Sequence, residues 1–415
     1  MIVNLARSYK QKKEFFINGI DYSRAIATRA YDFSVKHYLK EFVRAIVFEY
    51  KIDYKNNDGK ILLAYSYKGG NRKDYDYIVD TFEGLVSRKV DRINFIYKVS
   101  LVGSIKKLAL FFRLYNRFFE KIEKPFFASL LVIQFLNYDE KIKKLINWKK
   151  YNLLVTFCDA HGVENIIAQI AKENDTLTAT LQHGQYRVLK KEIENADIEA
   201  YENFISDYLL AWGKATQDEF IKAGIDGKRV IPVGAIKKFS ENKRIINTSV
   251  KGVFGVVLDG ETYEKSNIKL IKYANVLSEK YGLKYILRLH PKNNLEKYKM
   301  YCDKKYHEDS IKSIENEQYA EKVDFSILHM TGVFVELLSI NSPLFVMVDE
   351  CTEDIFKIEK SYFTNSEELC GLYDYILKNK SDFLEAQYKT YRYYNEKGTL
   401  ASNYNRAIKD ILEKE

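Results

Sequence analysis

The strongest constraint on the fold is a regular alternation of short apolar runs with amphipathic stretches, which begins at Tyr151. The runs at 153–157 and 177–181 have the length and aliphatic composition of buried strands, and stretches with helical periodicity separate them. Strands that alternate with helices pair in parallel, because a parallel pair needs a long crossover connection. The same alternation recurs after residue 250. We therefore predict two α/β domains, each built on a parallel sheet.

The boundaries of these domains follow from composition. Residues 237–250 are polar and show no strong periodicity, so we place the interdomain linker there. A chain of 415 residues is also long for a single hydrophobic core. We predict a first domain over residues 1–236, a second over residues 251–381, and a long charged helix over residues 382–415.

Cysteine usage, hydropathy and missing motifs exclude several classes of protein. The four cysteines show neither disulfide-like pairing nor the spacing of zinc ligands, which is typical of a reducing compartment. The N-terminus lacks the long apolar segment of a signal peptide, and no run of about 18 uncharged apolar residues is present. No Walker loop, Gly-x-Gly-x-x-Gly fingerprint or Asp-x-Asp pair after a strand occurs. We therefore predict a cytoplasmic protein with no metal site and no cofactor.

Positive charge is concentrated in the first third of the chain. Residues 1–150 carry 30 Lys and Arg against 16 Asp and Glu, whereas the remaining residues carry 36 against 41. Such a surface favours an anionic partner (nucleic acid, an acidic glycan or the inner leaflet of a membrane), although a solvated lysine-rich face explains the charge equally well. Residues 100–136 add an amphipathic aromatic pattern that either docks on a membrane or, as we favour, packs on the sheet.

Gln182-His183-Gly184 follows the run at 177–181 and gives the first candidate for catalysis. A neutral imidazole there is suited to act as a general base, because its ordinary pKa of about 6.5 lies near physiological pH. Gly184 permits a tight turn and the close approach of a ligand, so we expect Gln182 and Gly184 to contact an acceptor. The alternative is a histidine that only bonds a loop carbonyl.

Asp159 and His161 follow the preceding strand. In a parallel sheet the carboxyl ends of neighbouring strands meet at one edge, so both residues are expected beside His183 and are further candidates for catalysis. Asp159 would orient a histidine or bind an acceptor hydroxyl. An N-cap of the helix that begins near Val163 is an equally good interpretation of Asp159.

Arg288, His290 and Lys292 surround the end of a strand in the second domain. Arg288 and His290 are two residues apart and are therefore expected on the same side of that strand. With Lys292 they form a cationic set suited to a phosphate or a diphosphate. The alternative is a set of solvated surface cations.

Thr331, Gly332 and Glu336 lie at the entry to a helix that follows another strand. Backbone N–H groups and the Thr331 hydroxyl there are suited to hold an anion. Glu336 is costly to bury in an otherwise apolar helix without a partner, and ribose hydroxyls are a natural one. A surface-facing Glu336 is the alternative. Asp259-Gly260 ends an earlier strand and either contacts the donor or only forms a turn.

Three segments, in their order along the chain, resemble bacterial glycosyltransferases of the GT-B architecture. They are the strand ending Leu181-Gln-His-Gly184, the strand end Arg288-Leu-His-Pro291 and the segment from Thr331 to Ser342-Pro343. In that architecture two Rossmann-like domains face a cleft. The likeness is strongest to the capsule and cell-wall polymer branch, which includes polysialyltransferases and CDP-glycerol glycerophosphotransferases. The resemblance covers roughly residues 150–350.

The resemblance implies roles for single residues. In that branch the His-Pro histidine and a Ser/Thr segment bind the nucleotide phosphates, which implies this role for His290 and Thr331. The His-Gly histidine of the glycerophosphotransferases is a proposed base and corresponds to His183. Glu336 matches the position that holds the ribose in many GT-B enzymes. The acidic-Gly motif of the polysialyltransferases lies in their first domain, whereas Asp259-Gly260 follows the linker.

The resemblance implies a metal-independent transferase that moves a sugar from a nucleotide-activated donor to a growing capsular polysaccharide. Its acceptor would be a glycan, anionic or lipid-linked, and the final helix would cross back onto the first domain. The charge of the basic N-terminal third separately suggests peripheral membrane association. No nucleic-acid-binding motif is present. Alternatives are a glycerophosphotransferase or a nucleotide-sugar epimerase on the same fold, and a polyanion-binding module. The residues leave open the nucleotide (UDP, CMP, CDP or GDP), the sugar and its linkage, and the stereochemical course.

Overall fold

The chain forms two compact units in the computed structural model: residues 1–237 with 396–415, and residues 238–395. The structure describes residues 5–10, 12–30, 35–68, 72–99, 104–186, 202–237, 251–291, 293–312, 314–329, 331–350 and 361–413. Lys292 and all but the first residue of the expected linker at 237–250 lie outside the described residues.

The first unit is built on a seven-stranded sheet in the order β3-β5-β4-β6-β7-β8-β9. All neighbours in this sheet are parallel except β3, which runs antiparallel to β5. A separate antiparallel pair, β1 and β2, precedes it. The strands are β1 (Phe16–Ile17), β2 (Ile20–Asp21), β3 (Phe48–Lys55), β4 (Ile61–Tyr65), β5 (Val90–Val99), β6 (Leu153–Thr156), β7 (Leu177–Leu181), β8 (Tyr208–Ala211) and β9 (Val230–Pro232).

Helices cover both faces of this sheet, which explains why its central strands are apolar without alternation. In β4, Ile61, Leu63 and Tyr65 belong to one apolar cluster, and Leu62 and Ala64 belong to another on the opposite face. The helices of the first unit are Leu5–Tyr9, Tyr22–Ile26, Val35–Val47, Lys73–Leu85, Ser104–Phe118, Pro125–Ile133, Tyr138–Leu145, Gly162–Glu173, Lys214–Lys222 and Leu400–Leu412.

The second unit is built on a six-stranded, fully parallel sheet in the order β12-β11-β10-β13-β14-β15. Its strands are β10 (Val253–Val257), β11 (Lys284–Arg288), β12 (His307–Ile311), β13 (Ser326–Leu328), β14 (Leu344–Met347) and β15 (Tyr362–Phe363). Its helices are Glu264–Tyr281, Glu296–Lys299, Asn316–Ala320, Val333–Ser339, Ser366–Lys378 and Lys380–Tyr394. Counted along the chain this is the order 3-2-1-4-5-6 of a dinucleotide-binding sheet.

Two expectations about helices are corrected. The apolar periodicity of residues 18–50 predicts helix, but the described part of this stretch also contains β2 and the start of β3. The expected single helix over 382–415 is two helices, because Gly398 adopts a φ of 96° and Thr399 begins a new helix by accepting a hydrogen bond from the Ser402 N–H. The helix Lys380–Tyr394 belongs to the second unit and Leu400–Leu412 to the first. Within the described ranges no helix has both the length and the apolarity needed to cross a bilayer.

Candidate functional site

The first candidate site lies at the carboxyl ends of β4, β6 and β7. The strand order reverses between β4 and β6, and ligands of open α/β sheets bind beside such a reversal. A cavity of about 310 Å³ is found there. It is lined by Thr28, Arg29, Arg44, Tyr50, Ser66, Tyr67, Cys158, His161, Gly162, Val163 and His183. The structure therefore brings two of the sequence-predicted histidines to one cavity.

His161 and His183 lie close together with their ring centroids 5.9 Å apart. Burial lowers the pKa of His161 to about 3, helped by the nearby charges of His183 and Arg29. Burial also lowers the pKa of His183 to about 4, with a second contribution from the positive charge of Arg72. Both rings are therefore neutral at physiological pH, the form that accepts a proton.

The ring nitrogens of both histidines have spare hydrogen-bonding capacity. Neither Nδ1 atom has a hydrogen-bond partner among the described residues. The Nε2 atom of His161 lies 3.4 Å from the Tyr67 hydroxyl. Aromatic rings surround His183, with centroid separations of 4.8 Å to Phe157 and 5.6 Å to Tyr75. The cavity thus presents neutral imidazoles in an aromatic wall.

Gln182 is buried and fixes the turn that carries His183. Its side-chain oxygen accepts hydrogen bonds from the Trp212 backbone N–H at 2.6 Å and the Thr216 hydroxyl at 2.9 Å. Its side-chain nitrogen donates to the Gly184 carbonyl at 2.8 Å. A Cβ atom added at Gly184 would meet no atom of the described residues within 4 Å, so the described part of the fold does not require glycine there.

Asp159 is buried in the loop after β6 that carries His161, and its carboxylate is already hydrogen-bonded. One oxygen accepts from the backbone N–H groups of Ile205 at 3.0 Å and Ser206 at 2.7 Å. Burial raises the pKa of Asp159, and these amides oppose that shift. The N-cap interpretation is wrong, because His161 occupies that position of the helix Gly162–Glu173 and no side chain caps it.

Sequence reasoning missed Glu164, which joins the two loops on either side of the strand reversal. It accepts from the backbone N–H and the hydroxyl of Ser66 at 2.9 and 2.5 Å, and from the Cys158 N–H at 2.7 Å. Burial raises its pKa to about 8, although these donors act to lower it. An acidic residue in the first helical turn, directly after the Asp159–Gly162 motif, was the available signal.

Arg29 and Arg44 also line the cavity and were not predicted. Both contact the fully buried Glu41, at 3.6 and 2.5 Å respectively. Burial acts to raise the pKa of Glu41, but the two guanidinium groups and Gln134 outweigh it and hold that pKa below its usual value. The two lining cations share one carboxylate behind the cavity wall, which leaves a net positive charge beside the cavity.

The second unit has its strand reversal between β10 and β13. Asp259 follows β10 and His329 follows β13, so they flank this point. His329 is fully buried, with Nδ1 3.4 Å from an Asp259 oxygen and Nε2 2.9 Å from an Asp349 oxygen. Ser266 donates to the other Asp349 oxygen at 2.7 Å. His329 ends a strand as His183 and His290 do, so the same sequence signal was present and overlooked.

This buried cluster favours a charged imidazole. Burial acts to lower the pKa of His329, but hydrogen bonding and charge from Asp259 and Asp349 outweigh it and raise that pKa above its ordinary value. The backbone of Asp259 is itself held by Asn267 and Asn293, which donate to its carbonyl at 3.0 and 2.8 Å. Asp259 therefore has a fixed position within the second unit.

His290 and Arg288 are the predicted donor-binding residues at the end of β11. The His290 ring lies beside Gly260, since a Cβ atom added at Gly260 would be 3.8 Å from it. The Arg288 guanidinium lies 4.7 Å from the Tyr319 ring centroid, and burial lowers its pKa while Tyr319 and Glu336 act to raise it. One terminal nitrogen of Arg288, Nη1, is buried without a hydrogen-bond partner in the described part of the chain.

Thr331, Gly332 and Glu336 lie at the start of the helix Val333–Ser339, which has only seven residues. The Thr331 hydroxyl accepts a hydrogen bond from the Val333 N–H at 3.3 Å, and Gly332 occupies the N-cap position of the helix. Glu336 is half-buried and accepts a hydrogen bond from the Asn316 side chain. Across the described residues, no group of three His, Cys, Asp or Glu side chains is arranged to hold a metal ion.

No protein-family model matches the chain, and no curated protein matches it in sequence. Solved structures do match it. MnaA of S. aureus, in a co-structure with UDP, is 14% identical with a TM-score of 0.51 and covers 86% of this chain and 97% of its own. UDP-GlcNAc 2-epimerase from Neisseria meningitidis, bound to UDP-GlcNAc, is 11% identical with a TM-score of 0.52 and covers 86% and 100%. A glycosyltransferase from Rickettsia africae is 11% identical with a TM-score of 0.51 and covers 86% and 98%.

The chain has the GT-B fold. The expected α/β class with two Rossmann-like units is therefore confirmed. In GT-B terms, the first unit carries the cavity with His161 and His183, and the second carries Asp259, His290 and His329 at the carboxyl edge of its sheet. At this level of identity the likeness concerns the fold alone.

Proposed function

We propose that this protein is a glycosyltransferase that moves a sugar from a nucleotide-activated donor to a growing cell-surface polysaccharide of the capsular type. The observation that carries the proposal is the pair of neutral imidazoles in a cavity at the strand reversal of the first unit. Transfer of a sugar to a hydroxyl group requires a base that removes the hydroxyl proton, and an unprotonated imidazole can do this. The GT-B fold supports the proposal.

In this proposal His183 accepts the proton from the acceptor hydroxyl and His161 assists it. The two rings line one cavity, and both remain in the base form at neutral pH because burial lowers their pKa values. Gln182 holds the turn through Trp212 and Thr216. In this proposal Asp159 has a positioning role. Its carboxylate accepts hydrogen bonds from the backbone N–H groups of Ile205 and Ser206 and so holds that segment in place.

The second unit binds the donor in this proposal. Arg288 has a buried nitrogen that lacks a partner among the described residues, which suits it to a phosphate oxygen. His290 lies beside Gly260 at the end of β11. Thr331 would contact the phosphate, and Glu336 would hold the ribose. Cationic side chains would stabilise the charge that develops on the leaving phosphate, so no metal ion is required.

A nucleotide-sugar epimerase is the second candidate, because UDP-GlcNAc 2-epimerases occur among the structures with this fold. The two reactions differ in their need for an acceptor. An epimerase converts its nucleotide sugar alone, whereas a transferase releases the nucleotide only as sugar is added to an acceptor. Among the described residues that line the cavity at the strand reversal there is no carboxylate, so imidazole is the base that it offers.

The test begins with a thermal-shift screen of UDP, CMP, CDP and GDP, since a ligand of the folded state raises the melting temperature according to its affinity. The matching nucleotide sugar is then incubated with and without a capsular oligosaccharide acceptor, and the products are separated by mass. We expect acceptor-dependent transfer that His183→Ala and His290→Ala each abolish, while His307→Ala, in β12, retains it. Conversion of the donor without acceptor would establish the epimerase instead, and normal transfer by both variants would refute the mechanism.

A further inference from the structure

Two helices of the first unit present apolar stripes to solvent instead of to the core. In the helix Val35–Val47, Val35, Leu39, Phe42 and Val43 are exposed, and Leu39 retains 64% of its accessible surface. The charged Glu41 is buried on the opposite side of this helix. A surface helix normally shows the reverse arrangement, with its apolar face inward.

The helix Ser104–Phe118 repeats this arrangement. Leu108, Phe112 and Phe119, the last directly after the helix, are exposed, and they recur at intervals of four and seven residues on one face. The opposite face packs into the core through Phe111, Leu114 and Phe118. This segment therefore packs on the unit through one face, as we favoured, while a second apolar face is exposed to solvent.

The two stripes adjoin at Phe126, the second residue of the helix Pro125–Ile133. The Phe126 ring lies 6.2 Å from Tyr38 of the first helix and 5.0 Å from Phe111 of the second, and it is itself exposed. Together these three segments hold eight of the fifteen large apolar side chains that are exposed in the described part of the chain. We call this surface the apolar patch: Val35, Leu39, Phe42, Val43, Leu108, Phe112, Phe119 and Phe126. An apolar surface this concentrated marks an interaction site.

The charges around the patch are predominantly positive. The helix Ser104–Phe118 contains Lys106, Lys107, Arg113 and Arg117 and no acidic residue, although exposed Glu120 and Glu123 follow it. Lys107 and Arg117 donate to backbone carbonyls of the protein, whereas Lys106 and Arg113 are exposed. Exposed Lys36 and Lys40 lie on the helix Val35–Val47, whose only carboxylate, Glu41, is buried against Arg44. Apolar residues bordered by lysine and arginine are the composition of helices that lie in the interface of an anionic membrane.

We infer that the apolar patch docks this protein on an anionic lipid surface, with the aromatic and aliphatic side chains entering the headgroup region and the cations facing the lipid phosphates. A second copy of the chain is a poorer occupant, because a symmetric dimer would set this cationic surface against itself. The inference does not depend on the proposed function, since binding to lipid requires no donor or acceptor.

The test is co-sedimentation of the full chain with vesicles. We expect binding to vesicles of phosphatidylcholine mixed with phosphatidylglycerol, weaker binding to phosphatidylcholine alone, and a decrease as salt is raised. The double variant Leu39→Ser/Phe112→Ser should bind at least about tenfold more weakly, from the apolar area that it removes from the interface. The matched control Met300→Ser/Leu377→Ser removes two exposed apolar side chains of the second unit and should bind like the wild type.

Two results would overturn the inference. One is equal binding by the patch variant and the control, with both folded as judged by unchanged urea unfolding. The other is absence of vesicle binding together with a concentration-dependent dimer, seen by analytical ultracentrifugation, that the patch variant abolishes. That second result would assign the surface to a second copy of the chain.

Discussion

The neutral state of His183 makes a quantitative prediction about acid stability. Burial lowers the pKa of this imidazole to about 4, whereas in the unfolded chain it titrates near its ordinary value of about 6.5. As the pH falls below about 6.5 the unfolded state binds a proton that the folded state does not. The stability that His183 contributes is therefore present above about pH 6.5 and is lost as the pH falls toward 4.

Each pH unit in this window costs about 1.4 kcal/mol per imidazole. Between about pH 6.5 and about pH 5, the wild type should lose about 2 kcal/mol of unfolding free energy through His183 alone. The partial exposure of the ring to the cavity screens some of this loss. His183→Gln has no imidazole to titrate, so this variant should lack that loss. Because all other titrating groups are shared, the difference between the two proteins isolates His183.

The assay is urea unfolding followed by tryptophan fluorescence at a series of pH values. The chain has two tryptophans, Trp148 and Trp212, and both are buried in the first unit, so their signal reports the unit that contains His183. His307→Gln, in the second unit, serves as the control. A wild-type-minus-variant difference that stays flat from pH 7.5 to pH 5 would refute the assignment of a buried, neutral imidazole.

Three further predictions concern buried polar groups. Glu164→Ala leaves three hydrogen-bond donors of Ser66 and Cys158 without an acceptor. The unfolding free energy, measured by tryptophan fluorescence, should therefore fall by about 3 kcal/mol or more. A loss below about 1 kcal/mol would contradict this role of Glu164. His329 has a raised pKa, so its stabilisation of the second unit is complete below about pH 6.5 and is lost as the pH rises through its folded pKa. Hydrogen exchange in Val253–Val257, corrected for intrinsic rates, should accelerate with pH in the wild type and not in His329→Gln. Gln182→Leu should cost about 2 kcal/mol, because it removes the acceptor of the Trp212 backbone N–H. It should also shift the tryptophan emission, because the Trp212 indole donates to the backbone carbonyl of the same residue, which the substitution disturbs; unchanged emission would argue against it.

Much of the fold was predictable because many of its strands are short apolar runs that can be recognised from a few neighbouring residues. The apolar runs at 153–157 and 177–181 each correspond to a strand of the structure, and Gly282 ends its helix at a φ of 71° as a C-terminal cap. The strands β5 and β12 escaped prediction. Their sequences mix charged and apolar residues, and β12 is an edge strand with little burial. Strand pairing, a non-local interaction, decided their structure.

Part of the candidate site was likewise predictable from local sequence, and part of it depends on contacts between distant residues. Placement of His161 beside His183 follows from parallel pairing, which the strand–helix alternation had indicated. The contacts of Glu164 with Ser66 and of Arg29 with Glu41 join residues 98 and 12 positions apart, and no local pattern signals such pairs. The helix Val35–Val47 shows most clearly what a local pattern does not determine. The spacing of its apolar residues predicts an apolar face, but only the folded structure decides whether that face is buried or exposed.

By itself the sequence determined the α/β class, the two units and the histidines at the strand ends, because period and composition act over a few neighbouring residues. Tertiary structure alone decided which ionisable groups are neutral and which are charged. Burial among aromatic rings keeps His161 and His183 unprotonated, whereas two carboxylates favour the charged form of His329. Burial and charge proximity depend on segments far apart in the chain, so they exist only once the chain has folded.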